Sequence, residues 1–225
     1  MKDWDESMVK KYGLIVLLFL TGVFLLFYPQ LENKIQTNKQ NKLLTDWGNY
    51  IATIEPVSKT SSNTDSLSAD ERKSPSAESA DLSSSVPKPQ ASIAGVTLLG
   101  TLNIPAIDVT QPILQDSTEH TLKYGVGTVV PDIAAGEFGN FALAGHRGRS
   151  YGKLLNRLNE LEAGDEIIVQ SASEEYSYSV TEKFLVKPDE VWVLEQDDSM
   201  RELTLITCHP VKNPTHRLII KAIIS

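Results

Sequence analysis

"EYSYSVTEKFLV", Glu175 to Val186, alternates Tyr176, Tyr178 and Val180 with Ser177, Ser179 and Thr181. A period of two puts the aromatic and β-branched side chains on one face and the hydroxyls on the other, which describes a strand with one buried and one wet side. Similar segments surround it: "VTLLGTLNIPAI", "QPILQ", "GTVV", "NFALAGH" and "DEIIVQ" before, "VWVL", "ELTLITC" and "HRLIIKAII" after, with turn-forming residues between them. Only "YGKLLNRLNEL" reads as helix, with Leu154, Leu155, Leu158 and Leu161 on one side and Gly164 as its stop. Eight or so short strands and few helices predict an all-β barrel or sandwich, largely antiparallel. The stretch from 93 to 225 is long enough to close one such core.

The chain before residue 93 is of a different kind. Tyr12 to Leu31, "YGLIVLLFLTGVFLLFYPQL", is twenty residues without a charge, about 30 Å as a helix and thus the thickness of a bilayer's hydrocarbon core. No small-x-small cleavage site follows it, so residues 1–31 read as a short cytoplasmic tail and an uncleaved anchor. The adjacent Lys10 and Lys11 place the N-terminus in the cytoplasm and the remainder outside the cell. Residues 32–56 carry Ile35, Leu43, Leu44, Trp47, Ile51 and Ile54 at loosely helical spacing. Residues 57–92 hold twelve serines, three prolines and no aromatic residue, a composition that cannot bury enough surface to order itself, and they read as a flexible tether.

Charge is equally uneven. Residues 1–56 carry six basic and six acidic side chains and residues 57–92 four and five, whereas residues 93–225 carry eleven and eighteen, so the net charge of −8 sits almost wholly on the β domain. Such a surface repels phosphate backbones and excludes a nucleic-acid partner.

The single cysteine, Cys208, ends the run "LTLITCHP". Without a second cysteine it has no intramolecular disulfide, and an exported free thiol is a packing residue, a metal ligand or a nucleophile. A nucleophile needs a base or cation beside it. His146 ends the segment "NFALAGH" at a Gly-bounded turn, and Arg217 opens the strand in which Leu218, Ile220 and Ala222 face inward, just after the loop that begins at Cys208. Taken singly, each residue is more simply a packed thiol, a turn histidine and a solvated arginine. A zinc site of Cys208, His209 and His146 fits no usual ligand spacing, and adjacent strand residues point to opposite faces.

Together these residues resemble the sortases, the membrane-anchored cysteine transpeptidases of Gram-positive bacteria. "TLITC", Thr204 to Cys208, resembles their signature T-L-x-T-C; "AGHRG" resembles the segment carrying their catalytic histidine, "HRLIIKA" the strand carrying their catalytic arginine, and "LNELEAGDEIIV" is similar to theirs too. The resemblance covers about Leu98 to Ser225. It implies the eight-stranded sortase β-barrel over 93–225, with Cys208 as nucleophile, His146 as general acid and base, and Arg217 holding the substrate carbonyl. It implies cleavage of an L-P-x-T-G-like sorting signal after Thr, a thioester acyl-enzyme, and transfer of a surface protein to an amine acceptor on a peptidoglycan precursor, with no bound cofactor. "TCHP" and "GRSYGKLLNRL" look most like class D, with class A or E behind. A noncatalytic exported barrel that binds wall peptides, and a thiol peptidase that releases its acyl group to water, stand as alternatives; His120, His209 and His216 are expected to lie outside the chemistry.

Overall fold

A computed structural model describes residues 6–58, 92–93, 95–148 and 154–224. Most of the expected tether and the first residues of the expected helix, 151–153, lie outside these. Helix α1, Glu6–Ser58, contains an eighteen-residue stretch, Lys11–Tyr28, long and apolar enough to cross a membrane, and none of it is buried in the protein. A second compact unit runs from Leu43 to Ser225.

Among the described residues nine strands follow α1: β1 Ser92–Ile93, β2 Val96–Ile104, β3 Val109–Leu114, β4 Val126–Thr128, β5 Gly139–Gly145, β6 Glu166–Gln170, β7 Glu175–Val186, β8 Arg201–His209 and β9 His216–Ile224. They are ordered β1-β2-β3-β4-β5-β8-β9-β7-β6, and pairing of β2 with β6 closes β2 to β9 into an eight-stranded barrel. Closure leaves those eight strands no long open edge. The sheet is not uniformly antiparallel, since β3–β4 and β5–β8 are parallel pairs. Parallel neighbours end at the same rim, and the barrel owes its functional end to the second pair.

The interior is filled by the inward parity of each strand, including Leu102, Ile104, Ile113, Phe141, Leu143, Ile167, Val169, Tyr178, Val180, Leu203, Leu205, Leu218, Ile220 and Ala222. In β7 the alternation of Tyr176, Tyr178 and Val180 holds until a bulge between Val180 and Glu182 shifts the register, after which Phe184 and Val186 face outward. There they join Ile206 and Ile219 in a second apolar layer on the outside of the barrel, capped by Val193.

Two segments differ from the sequence reading. "VWVL" is not a strand but a single 3₁₀ turn, Val191–Leu194, because its inward-directed residue, Val193, serves the outer apolar layer rather than the sheet. "YGKLLNRLNEL" forms no α-helix among the described residues: Leu154 has left-handed backbone (φ 53°) and bridges to Arg147, and the chain then makes a 3₁₀ turn at Leu158–Glu160. Leu155, Leu158 and Leu161 recur every three residues, the 3₁₀ repeat, and all three are fully buried in the barrel core.

The C-terminal part of α1 within the second unit contributes a separate cluster. Leu43 and Trp47 are buried with Val96, Leu98, Leu114 and Tyr124, and Ile51 packs at its edge. Leu43, Trp47 and Ile51 are four apart, so one helix face supplies all three.

Candidate active site

Strands β5 and β8 run parallel in register, with Ala142 opposite Thr204 and Ala144 opposite Ile206. The ladder ends there, but Thr207 still bonds to Gly145 and Arg147 to His209, so the same register carried past the end of β5 sets His146 level with Cys208. Strand β9 returns antiparallel to β8, and Cys208 is the direct partner of Arg217. In turn Arg217 pairs with Val186 of β7. Three strand ends therefore place the sequence-predicted histidine, cysteine and arginine at one rim and on one face. His146 is exposed, while Cys208 and Arg217 are half-buried.

The side chains are left open for work. Among the described residues the Arg217 guanidinium makes one hydrogen bond, a long one of 3.4 Å from Nη1 to the His216 carbonyl. Its remaining donors are available to an oxygen arriving above Cys208. A thiol, an imidazole and a cation with free donors are groups that could serve acyl transfer as nucleophile, acid–base and oxyanion holder. Among the described residues no three His, Cys, Asp or Glu side chains gather as a metal site.

A sortase-domain family model matches residues 102–224, more than half of the chain and nearly all of the barrel. The chain belongs to the sortase family. It is 36% identical over 130 residues to Sortase A of Bacillus anthracis, an alignment covering 58% of this chain and 61% of that protein. It is 31% identical over 124 residues to Sortase D of Bacillus subtilis (strain 168), covering 54% and 61%. The structure of a Clostridium perfringens Sortase D5 transpeptidase superposes with a TM-score of 0.53 at 28% identity, covering 57% of this chain and 79% of that one. Thus this sortase spans about three fifths of the length of the two curated relatives.

Several residues that support the sortase site carry no signal of their own in the sequence. Both threonines of "TLITC" act through hydrogen bonds. Thr207 is buried and donates from Oγ1 to the Gly145 carbonyl at 2.7 Å, tying β8 to β5 one residue before the Cys208–His146 level. A Cβ at Gly145 would sit 2.7 Å from Leu155 Cδ1 and 3.0 Å from Val126 Cγ1, so a side chain there would have to displace the buried core. Thr204 donates to Asn140 Oδ1 at 2.6 Å, and the fully buried Asn140 amide donates to the carbonyls of Val193 (2.9 Å) and Glu195 (3.3 Å). Lys221 adds a bond to the Val193 carbonyl at 3.0 Å and an ion pair with Glu202 at 2.9 Å. The connection from β7 to β8 is thereby fastened to the outside of the barrel beside Arg217's strand.

The other histidines are engaged elsewhere. His120 packs edge-on against Tyr124, and His216 Nδ1 shares a 2.9 Å hydrogen bond with Thr215 Oγ1. His209 Nδ1 lies 2.6 Å from Arg147 Nη1. Burial, with Arg147 and His216 nearby, lowers the affinity of His209 for a proton.

Proposed function

We propose that this sortase is a cysteine transpeptidase that cuts an L-P-x-T-G-like sorting signal after its threonine and passes the acyl group to an amine of the cell wall. The observation that supports the reading is the register: Cys208 stands opposite Arg217, and the Thr207–Gly145 and Arg147–His209 contacts bracket the level that His146 shares with it. In the reaction His146 takes the Cys208 thiol proton, the sulfur attacks the threonine carbonyl carbon, and the Arg217 guanidinium holds the oxygen as it becomes negative. His146 gives a proton to the amide nitrogen as the carbon–nitrogen bond breaks, leaving a thioester on Cys208. An amine then attacks the thioester, His146 takes the amine's proton, and the sulfur departs.

In the same reading residues 1–31 anchor the chain with its N-terminus in the cytoplasm, residues 57–92 act as tether, and the barrel works outside the cell on surface proteins and a peptidoglycan precursor. Its class D character rests on "TCHP" and "GRSYGKLLNRL", and relatives of both A and D types lie at comparable identity. The test is a fluorogenic sorting peptide incubated with the protein, with and without an amine, and mass spectrometry of the trapped adduct. An acyl mass shift on Cys208, its loss in Cys208→Ala, and a drop of about 10² to 10⁴ in turnover for His146→Ala are expected. Cleavage by Cys208→Ala would overturn the reading, and release to water with the amine ignored would turn the transpeptidase into a hydrolase.

A further inference from the structure

We propose that Arg147 and His209 are positioning residues that form one strut, fixing the separation of His146 and Cys208 by tying together the residues that follow them. The proposal deepens the reading of Cys208 and His146 as the reacting pair and rests on it.

Three consecutive levels cross from the end of β5 to the end of β8. At the first, Thr207 Oγ1 donates to the Gly145 carbonyl. At the second stand His146 and Cys208. At the third, Arg147 and His209 are joined at 2.6 Å. The reacting level is therefore bracketed by a hydrogen bond before it and another after it. The first belongs to regular strand; the third lies where β5 has already ended, so the strut takes over from the β5–β8 ladder in holding the chain that carries His146 against β8.

Arg147 is itself rigidly held. Its Nε donates to the Asn156 carbonyl at 3.3 Å and its Nη2 to Asn159 Oδ1 at 2.5 Å, while its backbone bridges to Leu154. Leu155, next in line, donates its N–H to the His146 carbonyl at 3.2 Å and buries its side chain in the core. The guanidinium has donors only, so His209 Nδ1 must accept, which places the imidazole proton on Nε2 and keeps the ring neutral. A neutral acceptor locked to an arginine does not move protons during a reaction. His209 thus stands beside the nucleophile as a mechanical part.

The test uses the full chain with Arg147→Ala, Arg147→Lys, His209→Ala, His209→Asn and the double alanine variant. Two readouts are taken: kcat and KM with a sorting peptide, and the pH profile of Cys208 alkylation by iodoacetamide, which needs no sorting peptide. Misplacing one reacting group lowers kcat about tenfold with KM within about twofold, in either alanine variant. The double variant should be no worse than a single one. Arg147→Lys keeps the charge but has no fork to span both His209 and Asn159, so it should behave as Arg147→Ala. Asparagine sets Oδ1 where Nδ1 was, so His209→Asn should return kcat to within about threefold of wild type and restore its alkylation profile. It also keeps the bond, and so carries the test where an alanine variant fails to fold. Losses that multiply in the double variant, or a His209→Ala enzyme whose kcat and alkylation profile match wild type, would overturn the strut. A wild type that turns over no sorting peptide would instead remove the transpeptidase reading, leaving the alkylation cycle to decide the strut.

Discussion

Cys208 and Arg217 are direct cross-strand partners, nine residues apart in sequence, across a hairpin closed by the Thr215 N–H on the His209 carbonyl at 2.9 Å. Opposed residues in such a pair hold their Cβ atoms roughly 4.5–5.5 Å apart, so in the proposed reaction an oxygen on the carbon bonded to Cys208 would come within reach of the guanidinium. Arg217→Ala should cost about 3 kcal/mol in kcat/KM, and Arg217→Lys nearly as much, because an ammonium cannot reproduce the planar fork. Turnover of the sorting peptide by both variants decides it; a lysine enzyme close to wild type would show that charge alone suffices.

Thr204 and Asn140 predict a second effect. Replacing Thr204 with valine keeps the shape but removes the donor to Asn140 Oδ1, which is fully buried. The stranded acceptor should cost about 1–3 kcal/mol of stability. Because Asn140 also holds the Val193 and Glu195 carbonyls, limited proteolysis of Thr204→Val should begin between residues 187 and 200. Chemical denaturation and the first cleavage site check both parts; a variant as stable as wild type would show the network to be idle.

The strands were legible because a half-buried strand writes its period into the sequence, and Tyr176 to Val180 did so until the β7 bulge. The meeting of His146, Cys208 and Arg217 at one rim was legible because each sits at a strand end within a distinctive segment. What stayed hidden depends on partners far away in sequence. Arg147 reads as a solvated turn residue until His209, 62 positions on, is seen to accept from it. Asn140 looks like the polar start of a strand, yet its partners lie 53 to 64 residues away. The leucines at 155, 158 and 161 satisfy a 3₁₀ turn as well as one face of an α-helix, and the left-handed Leu154 decides between them. Likewise, the helical spacing of Leu43, Trp47 and Ile51 gave no hint of the Val96, Leu98 and Leu114 surface that covers the first two.

Trp47 gives that cluster a sharp test. Its ring is buried, yet its Nε1 has no hydrogen-bond partner among the described residues. Trp47→Ala should lose roughly 3–5 kcal/mol by opening a cavity over Leu98 and Leu114. Trp47→Phe gives up some apolar area but also removes an unsatisfied donor that costs about 1–3 kcal/mol, so it should lie close to wild type. Thermal unfolding of the two variants should differ widely; equal losses would mean that the indole N–H has found a partner.

His209 predicts how stability should change in mild acid. Burial first, then the positive charge of Arg147 and the neighbouring His216, hold its proton affinity below the ordinary histidine value of 6.5. The unfolded chain therefore binds this proton more readily than the folded one, so stability is complete above about pH 6.5 and declines as the pH falls below it, until the folded form titrates as well. Glu160, with Arg157 as its hydrogen-bonding partner, and Asp197, bonded by Ser199, shift downward from 4.5 and 3.8 and act only in a lower window. Measurements at about pH 7.5 and about pH 5.5 stay above that window, and comparison with His209→Asn separates His209 from the other histidines. The melting temperature should fall between those values in wild type and fall less in His209→Asn, whose amide has no proton to gain. Equal decrements in the two proteins would place the acid sensitivity outside the Arg147–His209 contact.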